Sequence, residues 1–172
     1  MYVQPYYLYA MKMLYVIRHA KSSWSEPGLD DFDRPLNDRG QSDAPEMARR
    51  MKAKGIQPDL IITSTAERAR KTAGIFADVL GYPSEAIVLK PDLYETDIDT
   101  VFDVVHQIDP QASHVFIFGH NPTFTYFVND LASARIDNIP TCGIAAIALN
   151  GDWQEAEEDS GSLVWFDYPK NK

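Results

Sequence analysis

Arg18-His19 stands directly behind the apolar run Leu14-Tyr15-Val16-Ile17, and Gly119-His120-Asn121-Pro122 directly behind Val115-Phe116-Ile117-Phe118. Each run is short and β-prone, so each reads as a buried strand that delivers a histidine at its carboxyl end, where open α/β sheets bind ligands. An arginine there is costly to desolvate unless an anion meets it, and imidazole is the side chain best suited to attack phosphorus near neutral pH. A further cation, Arg68, falls near the start of the helix that follows Leu60-Ile61-Ile62. The macrodipole is already positive at that end and disfavours a cation by up to about 1 kcal/mol unless an anion is present too. Two blander readings stay open: Arg18-His19 paired with nearby carboxylates, and Arg68 as a solvated helical arginine.

Transfer of a phosphoryl group to an enzyme nucleophile needs in-line attack and preorganised donors for three equatorial oxygens. Arg18, Arg68 and His120 supply those donors if the three strand ends open on one rim. His19 must then present a neutral nitrogen, its other nitrogen held by a hydrogen bond, with backbone as the expected partner. Acid is expected to silence such an attacker by protonating it, with the rate falling by pH 5. The arrangement calls for no metal and no cofactor.

The elements that must position these residues alternate. After the first strand, Ser23 to Arg39 is polar, with Pro27, Gly28, three aspartates and Pro35, and loops of that length usually bind or cover something. Ala44, Met47, Ala48 and Met51 mark an amphipathic helix over 41–54 that stops at Gly55. Ser64-Thr65-Ala66-Glu67 has capping-box order and opens a helix running to about Leu80. Ile87 to Leu89 reads as a strand and Pro91 to Glu95 as a loop. A helix follows through Val101, Val104, Val105 and Ile108. Beyond His120 the periodicity is helical again, and Ile144 to Leu149 and Leu163 to Phe166 close the chain as strands that pair as a hairpin across an acidic turn. The pattern predicts an α/β fold, a three-layer α/β/α sandwich with a mostly parallel mixed sheet.

At 172 residues the chain is long enough for one packed core and too short for two ordinary domains. The net charge of -9 argues against a nucleic-acid or anionic-membrane surface, so an anionic ligand must be caught in a local pocket. The single cysteine, Cys142, fits no intrachain disulfide or zinc spacing and reads as a buried structural thiol. No stretch approaches the roughly 20 apolar residues of a spanning helix, and the N-terminus lacks the order of a secretion signal, which makes the cytoplasm the expected location. Tyrosine-rich residues 1–12 read as an N-terminal extension from an upstream start, or else as a strand added to the sheet edge, and 13–172 as a single domain.

With these motifs in order, the chain resembles the histidine phosphatase superfamily, and within it the small SixA-type phosphohistidine phosphatases. The likeness runs from Met13 to about Phe166. It is carried by Arg18-His19, by Arg34-Pro35-Leu36-Asn37 with Gly40, by Ser64 to Thr72 containing Arg68, and by Gly119-His120-Asn121-Pro122. The resemblance implies a phosphoglycerate mutase-like fold, with His19 as phosphate-accepting nucleophile, Arg18 and Arg68 as clamp, and His120 as the second histidine on the phosphoryl oxygens. Ser22 matches the serine of the superfamily's Arg-His-Gly-Glu-Ser pattern and either lends a hydroxyl or is a surface-loop serine. Ala20 and Lys21 replace that pattern's Gly-Glu, and Ser25 stands where mutases often have asparagine, which weakens a mutase reading. Glu95 falls where many members place the proton donor to the leaving group, a role needing a raised pKa, and is otherwise a loop glutamate. Asp97 and Asp99 are weaker candidates for that role, and His106 and His114 fall outside the motifs.

Relatives acting on small sugar phosphates commonly carry inserted segments over the pocket, for which this chain has little spare length. The expected activity is therefore hydrolysis of phosphohistidine on a partner protein through a phospho-His19 intermediate, with Ser23 to Arg39 touching the partner and phosphate or a phosphate mimic occupying the pocket. A phosphatase for small phosphomonoesters is the alternative within the enzyme class. A phospho-ligand sensor that binds without turnover is the alternative outside it.

Overall fold

A computed structural model describes residues 11–172. The extension predicted at the N-terminus therefore lies outside the described residues up to residue 10. Lys12 is buried: its Nζ donates to the carbonyls of Pro110 and Ala112, and its own carbonyl accepts from Leu149 N at 2.9 Å.

The elements run β1 (Met13–Arg18), α1 (Asp38–Ala53), β2 (Leu60–Thr63), α2 (Glu67–Leu80), β3 (Val88–Leu89), α3 (Ile98–His106), β4 (His114–Gly119), α4 (Thr123–Ala132), β5 (Ile144–Leu149) and β6 (Gly161–Asp167). They form one six-stranded sheet in the order β3-β2-β4-β1-β5-β6. β1, β2, β3 and β4 pair in parallel, while β5 lies antiparallel to β1 and to β6. The sheet is thus mixed and mostly parallel, with the final pair a hairpin.

Side chains on a strand alternate between faces, and β1 shows the consequence. Leu14 and Val16 pack with Val101, Phe124, Phe127 and Val128 on the α3/α4 side. Tyr15 and Ile17 pack with Met47, Met51, Phe76 and Phe118 on the α1/α2 side. Two apolar layers sandwich the sheet, and each fully buried Leu, Ile or Phe contributes about 1.5–3 kcal/mol relative to exposure. β1 is covered on both faces, which explains its unbroken apolar run.

Helix boundaries depart from the sequence expectations at the capped ends. α1 begins at Asp38, not Gln41, because the Asn37 side chain accepts from Gly40 N at 2.9 Å and starts the helix early. The capping box expected at Ser64 is not formed: Ala66 holds the cap position of α2 with no side-chain cap. α3 starts at Ile98, with Asp97 as its cap on Thr100 N, and ends at His106. Among the described residues no helix is long and apolar enough to cross a membrane.

Candidate active site

Strand register gathers the site. Arg18 pairs with Gly119 and Thr63 with Phe118, so the residues that leave β1, β2 and β4 emerge side by side at one edge of the sheet. His19 N donates to Gly119 O at 3.0 Å and Ser64 N to Phe118 O at 2.9 Å, which extends the parallel ladder by one residue into the site. Gly119 must lack a side chain, because a Cβ there would stand 2.4 Å from the ring of Phe124. The connections from β2 to α2 and from β4 to α4 are three residues each, so Arg68 and His120 are set by the sheet with little slack.

His19 is 7% exposed and its tautomer follows from its partners. A carbonyl only accepts, so Nδ1 donates its proton to Ala20 O at 2.8 Å. Nε2 is then the lone-pair nitrogen, and it accepts from Arg68 Nε at 3.3 Å. The ring of His120 lies 5.1 Å from that of His19, with its Nε2 2.8 Å from Ser64 Oγ. The Ser64 hydroxyl that could have capped α2 serves the second histidine instead. Thr72 braces the arrangement: its Oγ1 accepts from Ala20 N at 3.0 Å and donates to Arg68 O at 2.7 Å, tying the residue after His19 to the turn that carries Arg68.

Arg68 is buried, at 7% exposure, rather than solvated. Arg18 NH1 donates to Ile139 O at 2.9 Å, while Arg18 Nε and His120 Nδ1 are buried without a hydrogen-bond partner among the described residues. Buried polar groups of that kind cost about 1–3 kcal/mol each unless a ligand satisfies them. Burial, reinforced by the charge of Arg68, lowers the Arg18 pKa from its ordinary value.

Electrostatics set the protonation states. Burial pushes His19 down to about 3; the Ala20 hydrogen bond opposes this, and His120, Arg68 and Arg18 add to it. Burial and the charges of Arg68 and Arg18 bring His120 down to about 4, against an opposing pull from Asp31. Both imidazoles are neutral at pH 7. Burial, with His120, Arg68 and Arg18 beside it, thus lowers the pH at which His19 takes up a proton in the ligand-free protein.

Two residues outside the predicted set complete the rim. Asp31, in a 3-10 turn (Asp31–Asp33), accepts from Arg68 NH2 at 3.0 Å, Tyr94 Oη at 2.8 Å and Arg34 NH1 at 2.9 Å, and its carbonyl accepts from Arg68 NH1 at 2.7 Å. Partial burial would raise its carboxyl, but the Tyr94 and Arg34 hydrogen bonds and the Arg68 charge outweigh that and lower it to about 2. Tyr94, pushed up to about 12 by burial and by Asp31, sets its ring edge-on to His120 at 5.6 Å and to Phe32 at 5.1 Å. The three loop aspartates were the available signal for Asp31. Tyr94 carried none beyond its place beside Glu95.

Ser22 is buried, not a surface serine, and its hydroxyl accepts from Arg34 NH2. Arg34 also donates to Ser23 O at 3.0 Å and lies 3.2 Å from the centre of the exposed Trp24 ring, so the Arg34 motif shapes the loop that presents Asp31. Gly40 lets α1 approach this loop, since a Cβ there would stand 2.2 Å from Lys21 O. Glu95 is exposed, in a left-handed conformation (φ 50°), and makes no hydrogen bond or ion pair among the described residues. Asp97 is the α3 cap. His106 donates to Ala156 O at 2.7 Å and His114 lies 3.0 Å from Tyr15 Oη, both away from the rim. Cys142 is buried, its thiol pushed up by burial, and its N–H is shared between the carbonyls of Arg18 and His19.

A lone-pair nitrogen facing a guanidinium, with a second arginine and a second imidazole alongside, can accept a phosphoryl group and stabilise its equatorial oxygens. The model of the histidine phosphatase superfamily (branch 1) matches residues 14–111, more than half of the chain. The chain belongs to this superfamily. An uncharacterized chloroplastic protein of Arabidopsis thaliana is 32% identical over 163 residues, covering 90% of this chain and 74% of the relative. Among solved structures, the putative phosphohistidine phosphatase SixA from Agrobacterium tumefaciens superposes with a TM-score of 0.77 at 29% identity, covering 92% of this chain and 98% of that one. A SixA protein histidine phosphatase complexed with tungstate shares the fold, with a TM-score of 0.78 at 22% identity, covering 92% and 98%. The α/β architecture of this histidine phosphatase domain is the phosphoglycerate mutase-like fold of these neighbours, and superfamily membership supports phosphatase activity.

Proposed function

We propose that this protein is a metal-independent phosphohistidine phosphatase that removes the phosphoryl group from histidine on a partner protein. The observation that carries the reading is the pinned tautomer of His19, with Nδ1–H on the Ala20 carbonyl and the Nε2 lone pair beside Arg68. The SixA likeness at 29% identity supports the substrate class.

In the first step Arg68 Nε turns its N–H from His19 to a phosphoryl oxygen, and the freed Nε2 lone pair forms a bond to phosphorus while the substrate's P–N bond breaks, its electron pair passing to the departing imidazole. Arg18, Arg68 and His120 donate to the equatorial oxygens, and the Ala20 carbonyl stabilises the cationic ring that His19 becomes. Water then attacks phospho-His19, the P–Nε2 electron pair returns to the ring, and the proton lost by water leaves with phosphate or solvent. A departing imidazole that is already protonated on its far nitrogen needs no acid, so exposed Glu95 has no required part.

The test is release of label from a phosphorylated histidine phosphotransfer domain by the wild type and by His19→Ala. Loss of turnover in the variant is expected. Equal release by both proteins, or a strong preference of the wild type for one small phosphomonoester over the phosphorylated domain, contradicts the reading.

A further inference from the structure

The Asp31 carboxylate is the feature of the rim that phosphate binding does not explain. A carboxylate beside the clamp repels an incoming phosphoryl dianion and occupies a donor of Arg68 that an oxygen of the substrate could use. Yet it is held firmly, by Arg68, Arg34 and Tyr94, and Arg68 also donates to the Asp31 backbone carbonyl. Its position is also specific. It is one side chain removed from His19 Nε2, since Arg68 donates from Nε to that nitrogen and from NH2 to the carboxylate. In-line attack at about 3–3.5 Å leaves the group carried on phosphorus facing away from His19 toward the open rim, and Asp31, half exposed on that rim, is within one side chain of the nucleophile.

We propose that Asp31, oriented by Tyr94, forms the leaving-group subsite and selects a phosphoryl group carried on a protonated imidazole. This inference rests on the phosphohistidine reading and names how the site would favour that substrate over phosphate esters. An ionised carboxylate has about four acceptor positions, and three on Asp31 are used by Arg34, Arg68 and Tyr94. One remains on Oδ1, and the side chain is 48% exposed, so it is reachable from solvent. The far N–H of a phosphoimidazolium is a donor of the right charge for that position. The edge-on pair of Phe32 and Tyr94 adds an aromatic wall beside it for a flat ring.

The chemistry explains why such a contact matters. A P–N bond to imidazole breaks readily when the ring is protonated on its other nitrogen, because the electron pair left by phosphorus then neutralises the ring. The carboxylate keeps that proton in place, and the ring departs as neutral imidazole with no proton transferred in the step. A phosphate ester brings the same dianion without the compensating cation, so Asp31 opposes it. The low carboxyl pKa keeps Asp31 ionised throughout the working range.

The experiment compares kcat/KM for N-phosphoimidazole and for p-nitrophenyl phosphate in the wild type, Asp31→Asn and Tyr94→Phe. The wild type is expected to prefer phosphoimidazole. Asp31→Asn is expected to lower the phosphoimidazole-to-ester ratio by roughly 10- to 100-fold, the range of one charge-assisted hydrogen bond, and to shift the phosphoimidazole optimum to lower pH. Tyr94→Phe is expected to lower the ratio by less, about threefold. A wild type that prefers the phosphoimidazole and an Asp31→Asn variant that keeps the same ratio would overturn the subsite while leaving the phosphohistidine reading intact. A wild type with no preference overturns both. The ratio cancels any loss of folded protein, and the surviving ester activity of each variant reports that it folds.

Discussion

Replacing the proposed nucleophile should make the protein more resistant to mild acid. Burial and neighbouring cations hold His19 at about 3 and His120 at about 4 in the fold, against about 6.5 in an unfolded chain. Between those values the unfolded state binds the protons, so stability falls as pH falls from near 7, and the fall ends only below the folded pKa. From pH 7.5 to pH 5 each imidazole costs about 2 kcal/mol, or about 4 kcal/mol together, a large part of the 5–15 kcal/mol typical of a domain. The carboxyl of Asp31, at about 2, titrates below this window and leaves it to the histidines. Urea denaturation at pH 7.5 and pH 5 reads the difference. His19→Gln should lose about 2 kcal/mol less than the wild type across the interval, and phosphate or tungstate should reduce the loss in the wild type by pairing with the protonated site. Parallel losses in the two proteins would show that the rings are not held neutral by the fold, and the reasoning on the nucleophile's protonation state would fail with them.

Arg68→Ala should lower kcat by about 100-fold or more by removing a transition-state donor, and should loosen the turn at Asp31 with only a small change in melting temperature; steady-state kinetics beside thermal denaturation separate the two. Thr72→Val removes the hydroxyl that ties Ala20 N to Arg68 O and should cost about 1–3 kcal/mol in stability while lowering kcat more than it raises KM. Gly40→Ala forces a Cβ against the Lys21 carbonyl and should destabilise by about 1–3 kcal/mol in chemical denaturation. Glu95→Gln should change kcat on a phosphorylated histidine less than about threefold, since the side chain is exposed and unpaired; a loss near the 10²-fold of a general acid would restore it as proton donor.

Much of the fold was legible because its signals are local. Six short apolar runs gave the strands, and helical spacing over 41–54 and through Val101, Val104, Val105 and Ile108 gave two of the helices. Strand ends that carry Arg18, His19 and His120 were readable for the same reason, because parallel strands must open on one edge. What was not legible depended on contacts across the chain. Ser64 had the order of a cap, yet its hydroxyl is spent on His120, 56 residues away. Ser22 looked like a ligand to phosphate or a loop residue, and it supports Arg34. Asp31 and Tyr94 meet across 63 residues, a pairing that no periodicity announces. The protonation states were hidden too, since an ordinary imidazole value ignores burial and two guanidiniums brought in from β1 and α2.

The most direct test of the account is to trap the covalent intermediate. Wild-type protein mixed rapidly with a ³²P-phosphorylated histidine phosphotransfer domain and quenched in alkali should carry label that is stable to base, labile to acid, and mapped by peptide mass spectrometry to His19. His19→Ala should carry none and release none. Turnover by the wild type without label on His19, or label that persists in the His19→Ala variant, would contradict a phosphoryl group passing through that nitrogen.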